Sequence, residues 1–208
     1  MFYNWSNIPA GPIGVSVSGG ADSALLLYFL MKNHKNKIHI FTLADKSKFY
    51  RNAKQCLHVV DWCRSNCNFN NFEHHIIHAD EQTREGLTDL PTLYFKNKQI
   101  IKFYRGDTAN PPREVTDSFG ATHKQGLSET QRRDPTVIRD CEEGEAAVFP
   151  FTNINKKEIA NLYRKENLHD LYELTISCES QTDIGPVHCD DCWWCEERKW
   201  GFGDYVKL

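Results

Sequence analysis

Short apolar runs alternate with stretches of helical apolar spacing along the N-terminal part of the chain. Ile13 to Val17 is a β-branched apolar run that ends at a glycine turn, and Ala21 to Met31 repeats apolar positions at helical spacing. The pattern then predicts strands at Ile38 to Leu43 and Phe72 to His78, with a helix between them at Asn52 to Asn66. Such alternation favours a parallel sheet with helices on both faces.

The periodicity weakens between Asp80 and Ala147, where no element is assigned. Two apolar stretches, Leu90 to Phe95 and Ile100 to Tyr104, stand among polar and glycine-rich sequence. The segment Gly106 to Arg139 is predicted to be a long loop, and such loops inside a domain are usually functional or mobile. An ordinary solvated insertion is the alternative interpretation.

Regular structure is predicted again in the last third of the chain. A helix is expected from about Lys156 to Glu166, because Asn155 is placed to cap it and Glu158 occupies the reciprocal capping-box position. We expect one domain, with an α/β nucleotide-binding core at residues 1–150 and a helical, metal-binding region at residues 151–208.

Composition indicates a soluble globular protein. Of the 208 residues, 40% are hydrophobic and 25% are charged, and the formal charge is -3. No run is long enough for a membrane span, and Met1 to Pro12 lacks the features of a signal peptide, so a cytoplasmic location without membrane contact is expected. The mild negative charge does not favour stable nucleic-acid binding.

The glycine turn has the properties of a phosphate site. A strand that ends in Ser18, Gly19 and Gly20 and then opens a helix directs unpaired backbone N–H groups and the positive end of the helix dipole at one small volume. The glycines allow close backbone approach, and the hydroxyls of Ser18 and Ser23 add donors. Asp22 is expected either to cap backbone donors or to help hold a magnesium ion.

The spacing differs from that of other phosphate loops. No lysine follows the glycines as in a Walker loop, and the Gly-x-Gly-x-x-Gly fingerprint is absent. The run Ser-Gly-Gly-Ala-Asp-Ser resembles the signature of the N-type ATP pyrophosphatases, the PP-loop superfamily, which adenylate a carboxyl or carbonyl oxygen. A tight turn without a ligand is the alternative.

Four cysteines near the C-terminus have the spacing of metal ligands. Cys178, Cys189, Cys192 and Cys195 form C-x10-C-x2-C-x2-C, which predicts a closed, structural zinc site that orders a tail with little apolar sequence. An iron–sulfur cluster is the alternative, and His188 is a further candidate ligand. No chemistry is assigned to the remaining cysteines: Cys56, Cys63, Cys67 and Cys141.

Both motifs together resemble the 7-cyano-7-deazaguanine synthase family, often called QueC. The resemblance covers the run from Val17 to Leu27 and several segments of the C-terminal third. Those segments are Pro150-Phe151, Lys156-Lys157-Glu158-Ile159, Leu174-Thr175-Ile176-Ser177-Cys178, the triplet Cys189, Cys192 and Cys195, then Arg198 and Gly201-Phe202.

The resemblance implies a Rossmann-like, adenine nucleotide alpha hydrolase-like fold with a zinc-binding tail, and a role in queuosine biosynthesis. It implies that ATP with Mg²⁺ adenylates 7-carboxy-7-deazaguanine, ammonia gives an amide, and a second activation gives the nitrile. A homodimer is also implied. The expected catalytic residues are Ser18, Asp22 and Ser23. The expected nucleotide-binding residues are Val17, Ser18, Gly19, Gly20, Ala21, Asp22, Ser23 and Leu27. The candidate cations near the α-phosphate are Lys156, Arg198 and Lys199.

The middle of the chain departs from the family. Its Asp-Tyr-Gly-Gln segment is reduced to Asp45 followed by Lys46-Ser47-Lys48, and its Tyr-Pro-Asp-Cys segment has no counterpart. We expect Gly106 to Pro112 to rebuild the substrate-facing side. These departures leave open a reaction that ends at the amide. They also leave open an adenylating enzyme with another carboxyl, tRNA or sulfur-nucleotide acceptor, and a zinc-containing module that binds nucleotide without turnover.

Overall fold

The computed structural model of the chain describes residues 3–45, 50–79, 86–119, 133–178 and 188–203. The segment Lys46-Ser47-Lys48, where the sequence departs from the family, lies outside the described residues. The elements are β1 (Ile13–Ser16), α1 (Ala21–Asn33), β2 (Ile38–Asp45), α2 (Tyr50–Cys67), β3 (Phe72–Ala79), α3 (Gly86–Lys96), β4 (Phe103–Tyr104), α4 (Arg113–Thr116), β5 (Glu142–Glu143), β6 (Ala147–Val148), α5 (Lys156–Lys165), α6 (His169–Glu173) and α7 (Trp193–Phe202). Across these ranges, none of the helices combines the length and apolar character that a membrane crossing requires.

The strands of the described residues form one sheet in the order β3-β2-β1-β4-β6-β5. All neighbouring pairs are parallel except β5 with β6, which is antiparallel because a short turn through Gly144 (φ 62°) joins them. The predicted parallel α/β class is confirmed, with this edge hairpin as the difference.

Helix α1 lies at the centre of the core. Its residues from Ala24 to Met31 are all buried, which is expected of a helix that is apolar on every side. It packs against α2 and α5, while Ile13 and Val15 of β1 are fully buried in the same cluster. The glycine turn between β1 and α1 is therefore held by two of the best-packed elements of the molecule.

The structure assigns elements where the sequence pattern was weak. The apolar stretch at Leu90 to Phe95 belongs to α3, which contains Pro91, and the stretch at Ile100 to Tyr104 ends in the two-residue strand β4. The tail also contributes apolar packing, since Trp193 and Phe202 of α7 are each 1% exposed.

The capping box predicted for α5 is present. The side-chain oxygen of Asn155 accepts hydrogen bonds from the backbone N–H groups of Lys157 (2.9 Å) and Glu158 (3.4 Å). In return, the Glu158 carboxylate accepts one from the Asn155 N–H at 2.6 Å. The cap fixes where α5 begins, and thus where Lys156 points.

Replacing Asn155 by alanine is expected to lower the free energy of unfolding by about 1 kcal/mol, because backbone donors of the first turn lose their acceptor. Urea denaturation of the full chain measures this change. The matched control is Asn161→Ala on the exposed face of the same helix, for which we expect a change within about 0.5 kcal/mol. Equal effects of the two substitutions would contradict the capping role.

Candidate active site

A cavity of about 340 Å³ opens at the carboxyl ends of β1 and β4. β1 has β2 and β3 on one side and β4, β6 and β5 on the other, so the chain changes direction across the sheet between β1 and β4. In open parallel sheets, ligands bind at this point of reversal. The volume falls within the range of small-molecule sites.

The glycine turn forms one wall of the cavity. Gly19 has a φ of 82°, a conformation that a residue with a Cβ rarely adopts. The Ser23 hydroxyl accepts from the Ser18 N–H and donates to the Gly20 carbonyl, both at 3.1 Å, which holds the turn closed. The start of α1 is therefore presented to the cavity as a preformed site for an anion.

Most of the predicted nucleotide-binding residues line this cavity: Val17, Ser18, Gly20, Asp22 and Ser23. Gly19 faces the tail instead, because its carbonyl accepts from the Ile176 N–H at 2.9 Å. Ala21 and Leu27 are buried in the core and do not line the cavity. Their contribution in the structure is to pack α1.

A chain of four charged side chains lines the cavity. The ammonium of Lys156 donates to the Asp22 carboxylate and lies 3.6 Å from Oε2 of Glu197, whose Oε1 accepts from Arg133 Nη2 at 2.6 Å. The side chains of Lys156 and Glu197 are 4% and 0% exposed. Each buried charge has an opposite partner, which offsets part of its desolvation cost.

Asp22 carries two signs of a ligand-facing carboxylate. Burial raises its pKa above the ordinary value, and the negative charge of Glu197 acts in the same direction, while Lys156 lowers it. Its second oxygen, Oδ1, is buried without a hydrogen-bond partner among the described residues. The carboxylate therefore has one oxygen held by Lys156 and one available to a ligand or cation.

The loop after β4 supplies another wall, as expected for the segment Gly106 to Pro112. Gly106, Asp107 and Thr108 line the cavity together with Arg105, which pairs with Asp107 at 3.2 Å. A Cβ on Gly106 would lie 3.2 Å from backbone atoms of the first turn of α1. The absence of a side chain lets this loop approach the glycine turn closely.

Only one of the three candidate cations faces the cavity. Lys156 lines it, whereas Lys199 is exposed on α7. The guanidinium of Arg198 donates to Thr175 Oγ1 at 2.8 Å and lies 4.0 Å from the centre of the Tyr172 ring. The expected roles of Arg198 and Lys199 at the α-phosphate are therefore wrong, since one is used in packing and the other points to solvent.

The four predicted metal ligands are brought together. Single sulfur atoms of Cys178, Cys189, Cys192 and Cys195 lie within 4.8 Å of one another, and those of Cys189 and Cys195 are 3.9 Å apart. Four thiolates bound at ~2.3 Å to one tetrahedral ion would be separated by about 3.8 Å. The set thus fits a single metal ion with small adjustments.

The sulfur atoms also interact in the way expected of a ligand set. A hydrogen bond with Cys192, burial and the nearby thiols all raise the pKa of the Cys195 thiol. A bound cation reverses this balance by stabilising the thiolates. The Cys192 and Cys189 N–H groups donate to sulfur at 3.3 and 3.4 Å, contacts that suit sulfur carrying negative charge.

The other cysteines have different surroundings. Cys56 and Cys63 are fully buried in the core, and burial raises the pKa of Cys56 to about 12. Burial likewise raises the pKa of Cys67 to about 11 and that of Cys141 above its ordinary value. These thiols therefore stay protonated at neutral pH and pack like small apolar side chains.

The metal centre is joined to the cavity at both of its chain segments. Ile176 and Ser177 line the cavity directly before Cys178, and Trp194 lines it between Cys192 and Cys195. A bound ion therefore fixes two cavity walls relative to each other.

The C-terminal part of the chain matches a family model, and the fold has counterparts among solved structures. A family model described as queuosine biosynthesis protein QueC matches residues 139–206, the part with α5 and the cysteines. The chain is similar in structure to NMN synthetase from Francisella tularensis, with a TM-score of 0.53 and 13% identity over 95% of this chain and 79% of that one. It also resembles the U34-tRNA thiolase NcsA from Methanococcus maripaludis with its [4Fe-4S] cluster, with a TM-score of 0.48 and 10% identity over 93% of this chain and 67% of that one. A search of curated proteins gives no match.

The C-terminal third is QueC-like. The match supports the resemblance drawn from the motifs over residues 139–206, and the likeness to the synthetase confirms the fold over most of the chain.

One metal ion per chain is expected, and Cys192→Ala should reduce it to well below one, because three thiolates leave the shell open. Elemental analysis of the purified full chain measures the content. Cys141→Ala, a half-buried cysteine outside the set, is the control and should leave the content unchanged. Full metal retention in the Cys192 variant would contradict the assignment.

Proposed function

We propose that this protein uses ATP to activate the carboxylate of 7-carboxy-7-deazaguanine and joins it to ammonia, giving 7-cyano-7-deazaguanine through an amide. The observation that carries the proposal is the single cavity shared by the glycine turn and the QueC-like tail. A phosphate site on its own would support only nucleotide binding. The tail contributes Lys156, Glu197 and Trp194 to the same volume, and this supports chemistry between a nucleotide and a second substrate.

The proposed reaction has two activations. A carboxylate oxygen attacks the α-phosphorus of ATP, pyrophosphate leaves, and ammonia then displaces AMP to form the amide. In the second round the amide oxygen attacks the α-phosphorus of another ATP and pyrophosphate leaves again. The C–O bond then breaks, AMP leaves with that oxygen, and the nitrogen loses both of its protons to give the nitrile. Two ATP molecules are consumed for each nitrile, and no protein nucleophile is required.

The chain's own groups favour this chemistry by position and charge. The first N–H groups of α1 and the turn held by Ser23 suit the β- and γ-phosphates that leave together as pyrophosphate. Lys156 begins α5, and its ammonium, which contacts Asp22 in the first turn of α1, stabilises negative charge that develops near the α-phosphate. Val17 and Leu43, at the ends of β1 and β2, offer an apolar surface for adenine.

Magnesium fits one atom of this site. The orphaned Oδ1 of Asp22 is the hard oxygen ligand that Mg²⁺ prefers, and such an ion usually completes its shell with phosphate oxygens and water. Bound there, Mg²⁺ would supply charge neutralisation for the triphosphate. Lys156 holds the other oxygen of the same carboxylate and so sets its orientation.

We propose zinc as the ion of the four cysteines. The sulfur separations suit ligands of one ion, whereas a cubane cluster binds each thiolate at a different iron. A closed shell of four thiolates leaves no open position, which favours a structural role in holding the two cavity walls. Elemental analysis of the purified chain is expected to find zinc. Its absorption spectrum is expected to lack the visible charge-transfer bands of an iron–sulfur cluster.

The reaction itself is the test. The full chain with Mg²⁺-ATP, ammonium and 7-carboxy-7-deazaguanine is expected to form AMP, pyrophosphate and the nitrile, all followed by mass spectrometry. Ser23→Ala should lower the rate by at least about tenfold, because the turn loses its internal acceptor and donor. The exposed Ser65→Ala, in α2, is the control and should retain the rate.

Amide without nitrile would limit the proposal to its first half. AMP formation with an unchanged base would contradict the acceptor, and a Ser23 variant with full activity would contradict the phosphate turn.

A further inference from the structure

Three side chains on the tail side of the cavity are not explained by nucleotide binding. Arg133, Trp194 and Glu197 line it, and none belongs to the glycine turn. Arg133 precedes the strands of the edge hairpin, while Trp194 and Glu197 belong to α7. They meet only because the chain folds.

Arg133 and Glu197 form a rigid, buried pair. Besides its 2.6 Å contact with Glu197, the guanidinium donates from Nε to the Thr108 carbonyl at 2.9 Å and from Nη2 to Thr108 Oγ1 at 3.4 Å. The Glu197 side chain is 0% exposed and that of Arg133 is 10% exposed. Neither group can turn to water without breaking these contacts.

The pair leaves one donor and one acceptor unused. Arg133 Nη1 and Glu197 Oε2 are buried without a hydrogen-bond partner among the described residues, although Lys156 lies 3.6 Å from Oε2. Unsatisfied buried polar atoms are costly and rare. A ligand that accepts from Arg133 and donates to Glu197 would satisfy both atoms.

Trp194 adds a flat surface to this donor and acceptor. Its ring is partly exposed and lines the cavity, and the Arg133 guanidinium lies 5.1 Å from its centre. Aromatic stacking of a planar base on such a ring contributes on the order of 1–3 kcal/mol. The three groups together match a planar heterocycle with a polar edge.

The position of the pair favours the acceptor over the adenine of ATP. Glu197 contacts Lys156, which contacts Asp22 in the first turn of α1, so the pair adjoins the phosphate site directly. The acceptor must reach the α-phosphorus, whereas the ribose separates adenine from it.

We propose that Arg133, Trp194 and Glu197 form the acceptor subsite and select a heterocycle with a lactam edge, a ring carbonyl beside a ring N–H. Arg133 donates to the carbonyl, Glu197 accepts from the N–H, and Trp194 stacks on the ring. This inference rests on the proposed function and deepens it by assigning the residues that choose the acceptor.

The test compares the binding of two bases to the wild-type chain. The chain is saturated with an ATP analogue that cannot be cleaved between its α- and β-phosphates. Calorimetry should show that 7-carboxy-7-deazaguanine binds about 10- to 100-fold more tightly than its analogue methylated at the lactam nitrogen, because the analogue lacks the N–H that Glu197 accepts. Glu197→Gln should weaken the parent base similarly, since the amide presents N–H groups where the carboxylate presented an acceptor. In this variant, methylation of the base should weaken binding little further, because the substitution and the methyl group remove the same hydrogen bond.

The control is Glu196→Gln, at a neighbouring residue that does not line the cavity. This variant should bind the two bases as the wild-type chain does. Equal binding of the two bases to the wild-type chain, or no binding of either, would overturn the subsite even if a variant failed to fold. A Glu197→Gln variant that raises KM for ATP and leaves KM for the base unchanged would assign the pocket to adenine and also overturn it. AMP formation from both bases at equal rates would reject the subsite while leaving the proposed function intact.

Discussion

The ammonium of Lys156 lies between two carboxylates that come from opposite ends of the chain. Asp22 belongs to the first turn of α1, and Glu197 belongs to the last helix. Removing any one of these three side chains would leave its partners with an uncompensated charge. The Lys156 and Glu197 side chains are 4% and 0% exposed, and breaking such a buried ion pair costs about 3–5 kcal/mol. The position of Lys156 depends in turn on Gly201, where a Cβ would lie 2.3 Å from the lysine side chain. These contacts therefore hold the glycine turn and the tail together at one site.

The four-cysteine cluster adds a second connection between the same two parts of the chain. The Ile176 N–H donates to the Gly19 carbonyl two residues before Cys178, so the first thiolate is tied to the glycine turn through the backbone. The last two thiolates flank Trp194 and precede Glu197 on α7. A metal ion bound by the four cysteines would thus align the turn, the tryptophan and the buried carboxylate. The cysteine cluster would thus affect the geometry of the reacting atoms without taking part in the reaction.

Local sequence patterns predicted those elements that are determined by residues close together in the chain. Apolar spacing predicted β1, α1, β2, α2 and β3, and the capping residues Asn155 and Glu158 predicted the start of α5. Cysteine spacing predicted the ligand set, because two-residue intervals bring thiolates together within one turn. α3 was missed, since Pro91 interrupts its pattern, and β4 to β6 have only two residues each.

The roles of Arg133 and Glu197 could not be predicted, because charged residues are usually exposed and their burial depends on partners 64 positions apart. Arg198 is the opposite case: it was predicted to be a cation near the α-phosphate. Its place in the sequence did not indicate that it would contact Thr175 and Tyr172 instead.

The transfer of oxygen from the acceptor to AMP shows whether the acceptor is activated at the α-phosphate. With 7-carboxy-7-deazaguanine labelled with ¹⁸O in both carboxylate positions, each adenylation should place one labelled oxygen in AMP. We expect singly labelled AMP from both rounds and a nitrile without oxygen at the former carboxyl carbon. Unlabelled AMP, or label in inorganic phosphate together with ADP, would contradict activation of the acceptor at the α-phosphate.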